Sequence, residues 1–360
     1  MKTRITDLLR TDWPIVQAPM AGVSSPSLAA AVSNAGGLGS IALGASTPEA
    51  ADKAIQEVRS QTNKTFNVNL FVHHTPAPDP ARDRAWLELM APLFRALNAE
   101  APTELRQIYP SFQDWPEMLE LLLDLKPPVI SFHFGLPDAS VIDVLKATGA
   151  VLLASATTPD EARAIEAAGI DAIVAQGHEA GGHQGRFSPD PHGDPVGTMA
   201  LVPQIVAAVR LPVIAAGGIM NGRGIAAALA LGAEGVQLGT AYVACPETLA
   251  NPAYRQMLAS DRAVKTKLTP IFSGRPARAI ANEFTMQMHA HADAVAAYPL
   301  AYDAGKALAS AAAASGFDEY AAMWAGQGAG LSRGVPAGEL TRTLMAETEE
   351  ALRRLASLAG

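Results

Sequence analysis

The groups best suited to acid–base chemistry lie in one glycine-rich stretch, Gly177-His178-Glu179-Ala180-Gly181-Gly182-His183-Gln184-Gly185. His178-Glu179 followed by His183 has the look of a zinc-binding helix. That motif needs its histidines at i and i+4 on one helical face, whereas here they stand at i and i+5 with two glycines between them that weaken any helix. No metal is expected. His183 is flanked by glycines at 181, 182 and 185, which let the backbone come close to a flat ligand, and its neutral ring can take a proton from a carbon acid. His178 reads as a loop residue bonded to backbone. His73, His74, His289 and His291 have no partners at ligand spacing. Cys245, the single cysteine, permits no intrachain disulfide or cysteine cluster and reads as a small buried apolar residue.

Phosphate chemistry is suggested by two turns. Val213-Ile214-Ala215-Ala216-Gly217-Gly218-Ile219 and Gly235-Val236-Gln237-Leu238-Gly239-Thr240 each end an apolar run in glycine. A lone Gly-Gly would read as a tight strand-to-helix turn. Two such turns at consecutive strand ends point to a phosphate held on backbone amides, with the Thr240 hydroxyl as a further donor.

The elements that would position these groups alternate. Short apolar runs at 15–18, 39–42, 66–70, 129–132, 151–154, 172–175, 213–216 and 235–238 are separated by alanine-rich helical stretches, the rhythm of a parallel sheet. Ser25-Pro26, Thr47-Pro48-Glu49 and Thr158-Pro159-Asp160 are helix starts, each with a capping hydroxyl ahead of a first-turn proline. Eight strands suit a closed barrel, although a doubly wound open sheet shows the same alternation. In a barrel, the polar and glycine residues that follow the strands, among them Pro19-Met20-Ala21-Gly22, Asn69 and Gln176, converge on the C-terminal mouth where ligands bind.

The repeat is interrupted once, at about 73–126, by a proline-rich opening and two expected helices near 82–98 and 113–125. It stops after Thr240, and segments such as 295–315 suggest a mainly helical C-terminal appendage. The expected organisation is a barrel over 1–245 and a helical region over 246–360 that completes the pocket. With 360 residues, 49% hydrophobic and 17% charged, the chain can bury a large core and is not disordered. A net charge of −8 without a basic patch excludes a nucleic-acid backbone binder. No segment has the length and apolarity of a membrane span or a signal peptide, so a cytoplasmic protein is expected.

Taken together, Gln17-Ala18-Pro19-Met20-Ala21-Gly22-Val23-Ser24, the stretch AAAVSNAGGLGS at 29–40, Ser131-Phe132-His133-Phe134-Gly135-Leu136-Pro137, Glu179-Ala180-Gly181-Gly182-His183 and AAGGIMNGRGIAAALALGAEGVQLGT at 215–240 closely resemble class I nitronate monooxygenase, the 2-nitropropane dioxygenase family. The resemblance runs from about residue 14 to 335. It implies an α/β fold, a (β/α)8 TIM barrel with an insertion after the third strand, that binds FMN and uses O2 to oxidise alkyl nitronates, propionate 3-nitronate above all, to a carbonyl compound and nitrite. It implies that Pro19, Met20, Ala21, Gly22, Asn69, Gln176, Gly181, Gly182, Gly217, Gly218, Met220, Gln237, Leu238, Gly239 and Thr240 hold the flavin, and that His183 faces its reactive side. Tyr109, His133, Tyr298, Tyr302 and Lys306 match positions that shape the substrate pocket. Two positions depart from the family pattern: Asn221 where Asp is common, and Gln184 where Arg is common.

A nitronate is already a carbanion equivalent, so His183 would stabilise an anion for that substrate and act as base only for a neutral nitroalkane. Two other functions fit the same glycines. One is an NAD(P)H:quinone or enoyl-thioester reductase on a related flavin barrel, against which no dinucleotide fingerprint is visible: Gly36-Gly37-Leu38-Gly39 and Gly222-Arg223-Gly224 lack the spacing and the following acid. The other is a non-catalytic flavin-binding protein. The expected partners are a small nitronate and O2, with no nucleic acid and no membrane, the chain acting as a monomer or homodimer.

Overall fold

The computed structural model describes residues 1–188 and 195–359. Its parallel strands are β1 (Ile15–Gln17), β2 (Gly39–Ala42), β3 (Phe66–Phe71), β4 (Val129–His133), β5 (Val151–Ala156) and β6 (Ala172–Gln176). After a two-residue β7 (Gly182–His183) come β8 (Val213–Ala216) and β9 (Gly235–Leu238). The eight parallel strands pair in the order β1-β9-β8-β6-β5-β4-β3-β2. The ring is all but closed where Leu38, just ahead of β2, donates to Ile15 O at 2.8 Å and accepts from Gln17 N at 2.9 Å. The eight apolar runs of the sequence therefore form a barrel, not an open sheet.

Side chains that alternate along each strand fill the barrel in layers. At its N-terminal end Val16, Leu38, Val129, Leu153, Val174 and Ile214 pack together and are plugged by Ile5 and Leu9 of the helix Arg4–Leu9. A polar layer lies above: Asn67 Nδ2 donates to Ser40 Oγ at 3.2 Å and to Ser131 Oγ at 3.0 Å. The cavity described below opens over that layer.

The hydroxyl–proline helix starts form as expected. Ser25 Oγ accepts from Leu28 N, Thr47 Oγ1 from Ala50 N and Thr158 Oγ1 from Glu161 N. The helix Pro26–Asn34 packs so closely on β2 that a Cβ at Gly39 would stand 1.9 Å from Ala29 O. Gly39→Ala is expected to cost about 3 kcal/mol, at the upper end of overpacking penalties. A urea midpoint equal to the parent's would refute that packing.

In the insertion the helices run Pro80–Ala96 and Pro116–Leu125 rather than 82–98 and 113–125. Pro80 takes the first turn behind its cap Asp79, Asn98 is left-handed, and Phe112–Asp114 is a separate short 3-10 turn. The C-terminal region is mainly helical, its long alanine-rich helix spanning Leu300–Ala314. It also contains a feature the sequence reading lacked: β10 (Thr266–Thr269) and β11 (Ala277–Ile280) form an antiparallel sheet whose third strand is β7. The last helix, Ala337–Ala359, packs against Gly222–Ala230 and Pro26–Asn34 on the outside of the barrel. Among the described residues no helix is long and apolar enough to cross a membrane.

Candidate active site

A cavity of about 250 Å³ occupies the C-terminal mouth of the barrel. Of the residues named above, Pro19, Met20, Ala21, Gly22, Asn69, Gln176, Gly181, Gly182, Gly217, Gly218, Met220, Gln237, Gly239 and Thr240 line it, together with His183, Tyr109, His133, Tyr302 and Lys306. Leu238 and Tyr298 do not line it. The Leu238 side chain lies in the apolar core, because residues alternate along β9 and its neighbours Gln237 and Gly239 take the inward positions. Tyr298 stands behind the wall, packed on Tyr109 and Phe134.

Two glycine turns with free backbone amides border the cavity. Gly217 and Gly218 have φ values of +114° and +73°, and the amides of Gly217, Gly218 and Gly239 donate to no acceptor among the described residues. Backbone N–H groups converging from turns of this kind bind oxyanions. Thr240 Oγ1 accepts from Gly326 N at 2.9 Å, which leaves its own hydrogen free to donate. Thr198 N donates to the Glu179 carboxylate at 2.7 Å, and the Thr198 hydroxyl lies between that carboxylate at 2.8 Å and Gly217 O at 3.0 Å, linking the glycine-rich loop to the β8 turn.

Another part of the cavity is walled by rings. His183 is half-buried between Phe134 and Tyr298, each 5.6 Å away between ring centroids, with Trp324 at 5.1 Å and Tyr302 at 6.1 Å. It is fixed from both sides. Its backbone pairs with Ala277 of β11, and its carbonyl accepts from Gln176 Nε2 at 3.1 Å. His133 Nε2 lies 3.2 Å from the same carbonyl, so this nitrogen carries the hydrogen, and Ser155 Oγ donates to Nδ1 at 3.0 Å. The Gln176 and His133 side chains thus brace the histidine as well as lining the cavity. His183 Nε2 is hydrogen-bonded to Ser273 Oγ at 2.8 Å, leaving Nδ1 as the nitrogen the chain does not engage.

Burial, with His133, Arg275 and His73 nearby, pushes the His183 pKa down to about 3, so the ring is neutral at physiological pH. Burial likewise lowers Lys306, whose ammonium lies over the rings of Tyr302 and Tyr109 at 4.9 and 5.6 Å, and raises Tyr109 far above its ordinary value. His178 and His183 share no ligand position. Arg278 donates to His178 Nε2 at 2.8 Å and to its carbonyl, while His183 turns to Ser273.

The two departures from the family pattern have local explanations. Asn221 caps the helix Gly222–Ala230 by accepting from Gly224 N at 3.0 Å, work that Asp would do equally well. Gln184 is buried beside His178, 3.4 Å from its Nδ1, in surroundings that already hold the Arg278 guanidinium.

Several site residues escaped the sequence reading. Ser131, Phe71 and Tyr254 line the cavity, and Trp324 reaches it because its carbonyl accepts from the Tyr254 hydroxyl and its backbone bridges to Ala279. Ser273 comes from the turn between β10 and β11. Arg275 from the same turn is 3% exposed, with its guanidinium 4.6 Å above the Phe134 ring and 5.7 Å from that of Tyr298. Burying a cation costs several kcal/mol, of which contact with aromatic faces returns about 2 kcal/mol. Even so its pKa is pushed down only to about 10, so it remains charged.

Free backbone amides at two glycine turns and a wall of rings around one neutral imidazole thus share one cavity. Known proteins match this chain along its length. The family model described as nitronate monooxygenase matches residues 2–347. The nitronate monooxygenase of Pseudomonas aeruginosa is 54% identical over 350 residues, covering 96% of this chain and 99% of that protein. That of Paraburkholderia phytofirmans is 52% identical over 360 residues, covering 100% and 98%. Among solved structures, nitroalkane oxidase from Streptomyces ansochromogenes superposes with a TM-score of 0.91 at 42% identity, covering 98% of this chain and 100% of that one. FabK from Thermotoga maritima superposes with a TM-score of 0.76 at 32% identity, covering 99% of each chain. With the match spanning both the barrel and the C-terminal region that supplies Ser273, Tyr302 and Trp324, this chain belongs to the nitronate monooxygenase family of oxidoreductases.

Proposed function

We propose that the protein holds FMN in the barrel mouth and oxidises alkyl nitronates of the propionate 3-nitronate class with O2 to a carbonyl compound and nitrite. The observation that carries this reading is the pairing, in one cavity, of unpartnered glycine amides after β8 and β9 with a neutral imidazole at the far end. The amides of Gly217, Gly218 and Gly239 and the Thr240 hydroxyl would take the phosphate. Pro19, Met20, Asn69, Gly181, Gly182 and Gln237 would bound the ring. When bound, the flavin supplies one-electron redox chemistry that no side chain offers.

The chain contributes orientation and charge. Lys306, a cation over two tyrosine rings, would draw the anionic nitronate inward. The aromatic wall of Tyr302, Trp324 and Tyr109 would keep water from the reacting carbon. His183 would meet the nitro oxygens or the ring through Nδ1. An imidazole so reluctant to take a proton is a weak base, which supports nitronates, already deprotonated, over neutral nitroalkanes as the preferred substrates.

The test is an oxygen-electrode assay of the purified yellow protein with propionate 3-nitronate against NADH plus quinone. Oxygen uptake and nitrite release with no added nicotinamide are expected. Flavin reduction by NADH together with indifference to nitronate would favour the reductase reading instead. His183→Asn is expected to cut turnover of neutral nitroalkanes by at least tenfold more than turnover of nitronates. Equal losses on both would remove the base role.

A further inference from the structure

We propose that Arg275, which lines no part of the cavity, is a positioning residue that makes the ring-walled end selective for a planar anion over its neutral counterpart. This rests on the reading above only in taking the ligand beside His183 to be an anion.

The guanidinium is held rigidly. Gly274 has φ +91° and is wedged so tightly against the 296–298 backbone that a Cβ would stand 2.5 Å from Ala296 O and from Tyr298 N. Ser273 N and Gly274 N both donate to Pro270 O, and Arg275 N donates to Ser273 Oγ, the hydroxyl that also meets His183. The side chain has one hydrogen-bond acceptor, Arg186 O at 2.9 Å, and forms no ion pair among the described residues. Glu161 is the carboxylate whose charge it feels, but those oxygens already accept from Thr157 N, Thr157 Oγ1 and Phe187 N.

Among the described residues the remaining titratable neighbours offer no negative charge. His73, His133 and His183 are imidazoles that its field helps to keep neutral, and burial holds Tyr298 in its phenol form. A buried cation that makes no direct ion pair among the described residues is an unusual thing for a fold to retain. It stands one ring behind the site: Phe134 and Tyr298, which it contacts, are two of the four rings packed on His183, each 5.6 Å away between centroids. Across such dry aromatic material a charge is screened far less than in water. An anion at the His183 face is therefore attracted by this charge across the two rings, and a neutral nitroalkane of the same shape is not.

The experiment compares propionate with propionamide, two inert and nearly isosteric probes, by calorimetric titration of the purified holoprotein, alongside steady-state kinetics on a nitronate and its parent nitroalkane. In Arg275→Gln, Kd for propionate and KM for the nitronate are expected to rise about tenfold. Propionamide affinity, kcat on the nitronate and KM for the nitroalkane should stay within about twofold, and Arg275→Lys should restore most of the loss. Equal changes for both probes, or none, overturn the proposal. Should Arg275→Gln not fold, Lys306→Met decides. Discrimination that persists without the cavity lysine supports Arg275 as its source, and discrimination abolished there overturns it. Wild-type protein that prefers propionate yet consumes no nitronate would sink the proposed function while leaving this inference standing.

Discussion

Gly239→Val is expected to fold with a melting temperature within about 3 °C of the parent and to emerge from purification colourless. The residue has an ordinary backbone, φ −102°, and a Cβ built on it would meet only Ala18 Cβ at 3.4 Å and Met20 Sδ at 3.7 Å, both normal contacts. The added Cβ therefore meets no tight contact in the protein, and the valine methyls beyond it project among residues that line the mouth and take the space a phosphate would need. Flavin content and nitronate turnover should fall together, by more than a hundredfold, with Gly239→Ala intermediate. The neighbouring turn cannot make this distinction. A Cβ at Gly217 would come within 2.8 Å of Thr198 Oγ1 at φ +114°, so replacement there disturbs the backbone as well as the ligand. A yellow, fully active Gly239→Val protein would refute the phosphate assignment.

The second large effect is acid sensitivity. Burial, together with the charge of Arg275, holds His73 at a pKa of about 4, while burial above all lowers His133 to about 4 and His183 to about 3. An unfolded imidazole titrates near 6.5. Between that value and about 4 the unfolded chain binds protons that the folded chain refuses, so folding stability rises with pH across this window. It is complete above pH 6.5 and is lost as pH falls. Three such groups give a slope on the order of 4 kcal/mol per pH unit, enough to exhaust a typical domain stability of about 5–15 kcal/mol within a few units. The urea midpoint should be flat from pH 9 to 7 and drop steeply below 6. His73 offers a control, since both its ring nitrogens lack partners and its ring stands edge-on to Tyr298 at 4.9 Å. His73→Phe should remove about a third of the slope and leave stability at pH 7 undiminished. A midpoint unchanged down to pH 4.5 would contradict the neutral, buried state of these rings.

Both expectations combine what is local with what is not. The eight strands were legible because parallel-sheet strands are short apolar runs bounded by glycine and polar residues, and their observed ends differ from the expected ones by no more than two residues. The site residues nearest those ends, from Pro19 to Thr240, were legible for the same reason: in a parallel barrel every strand delivers its following turn to one face. His183 stood out by its glycine neighbours alone. Two assignments implied by the resemblance fall outside the cavity lining. Leu238 sits within the right turn but on the outward phase of β9, and Tyr298 lies near the right place but one layer back.

The amino-acid order by itself thus determined the eight parallel strands, the turns that gather at their C-terminal ends and the family resemblance, since each depends on residues close together in the chain, whereas closure of the strands into a barrel rests on the pairing of Leu38 with β1. Only the tertiary structure decided what holds His183 and what charge stands behind it. Ser273, Arg275, Ala277 and Trp324 reach the loop from some 90 to 140 residues away, through a small sheet whose third strand, β7, is two residues long. Their contacts come from packing between distant segments, and packing of that kind leaves no periodicity, spacing or composition in the sequence from which it can be read.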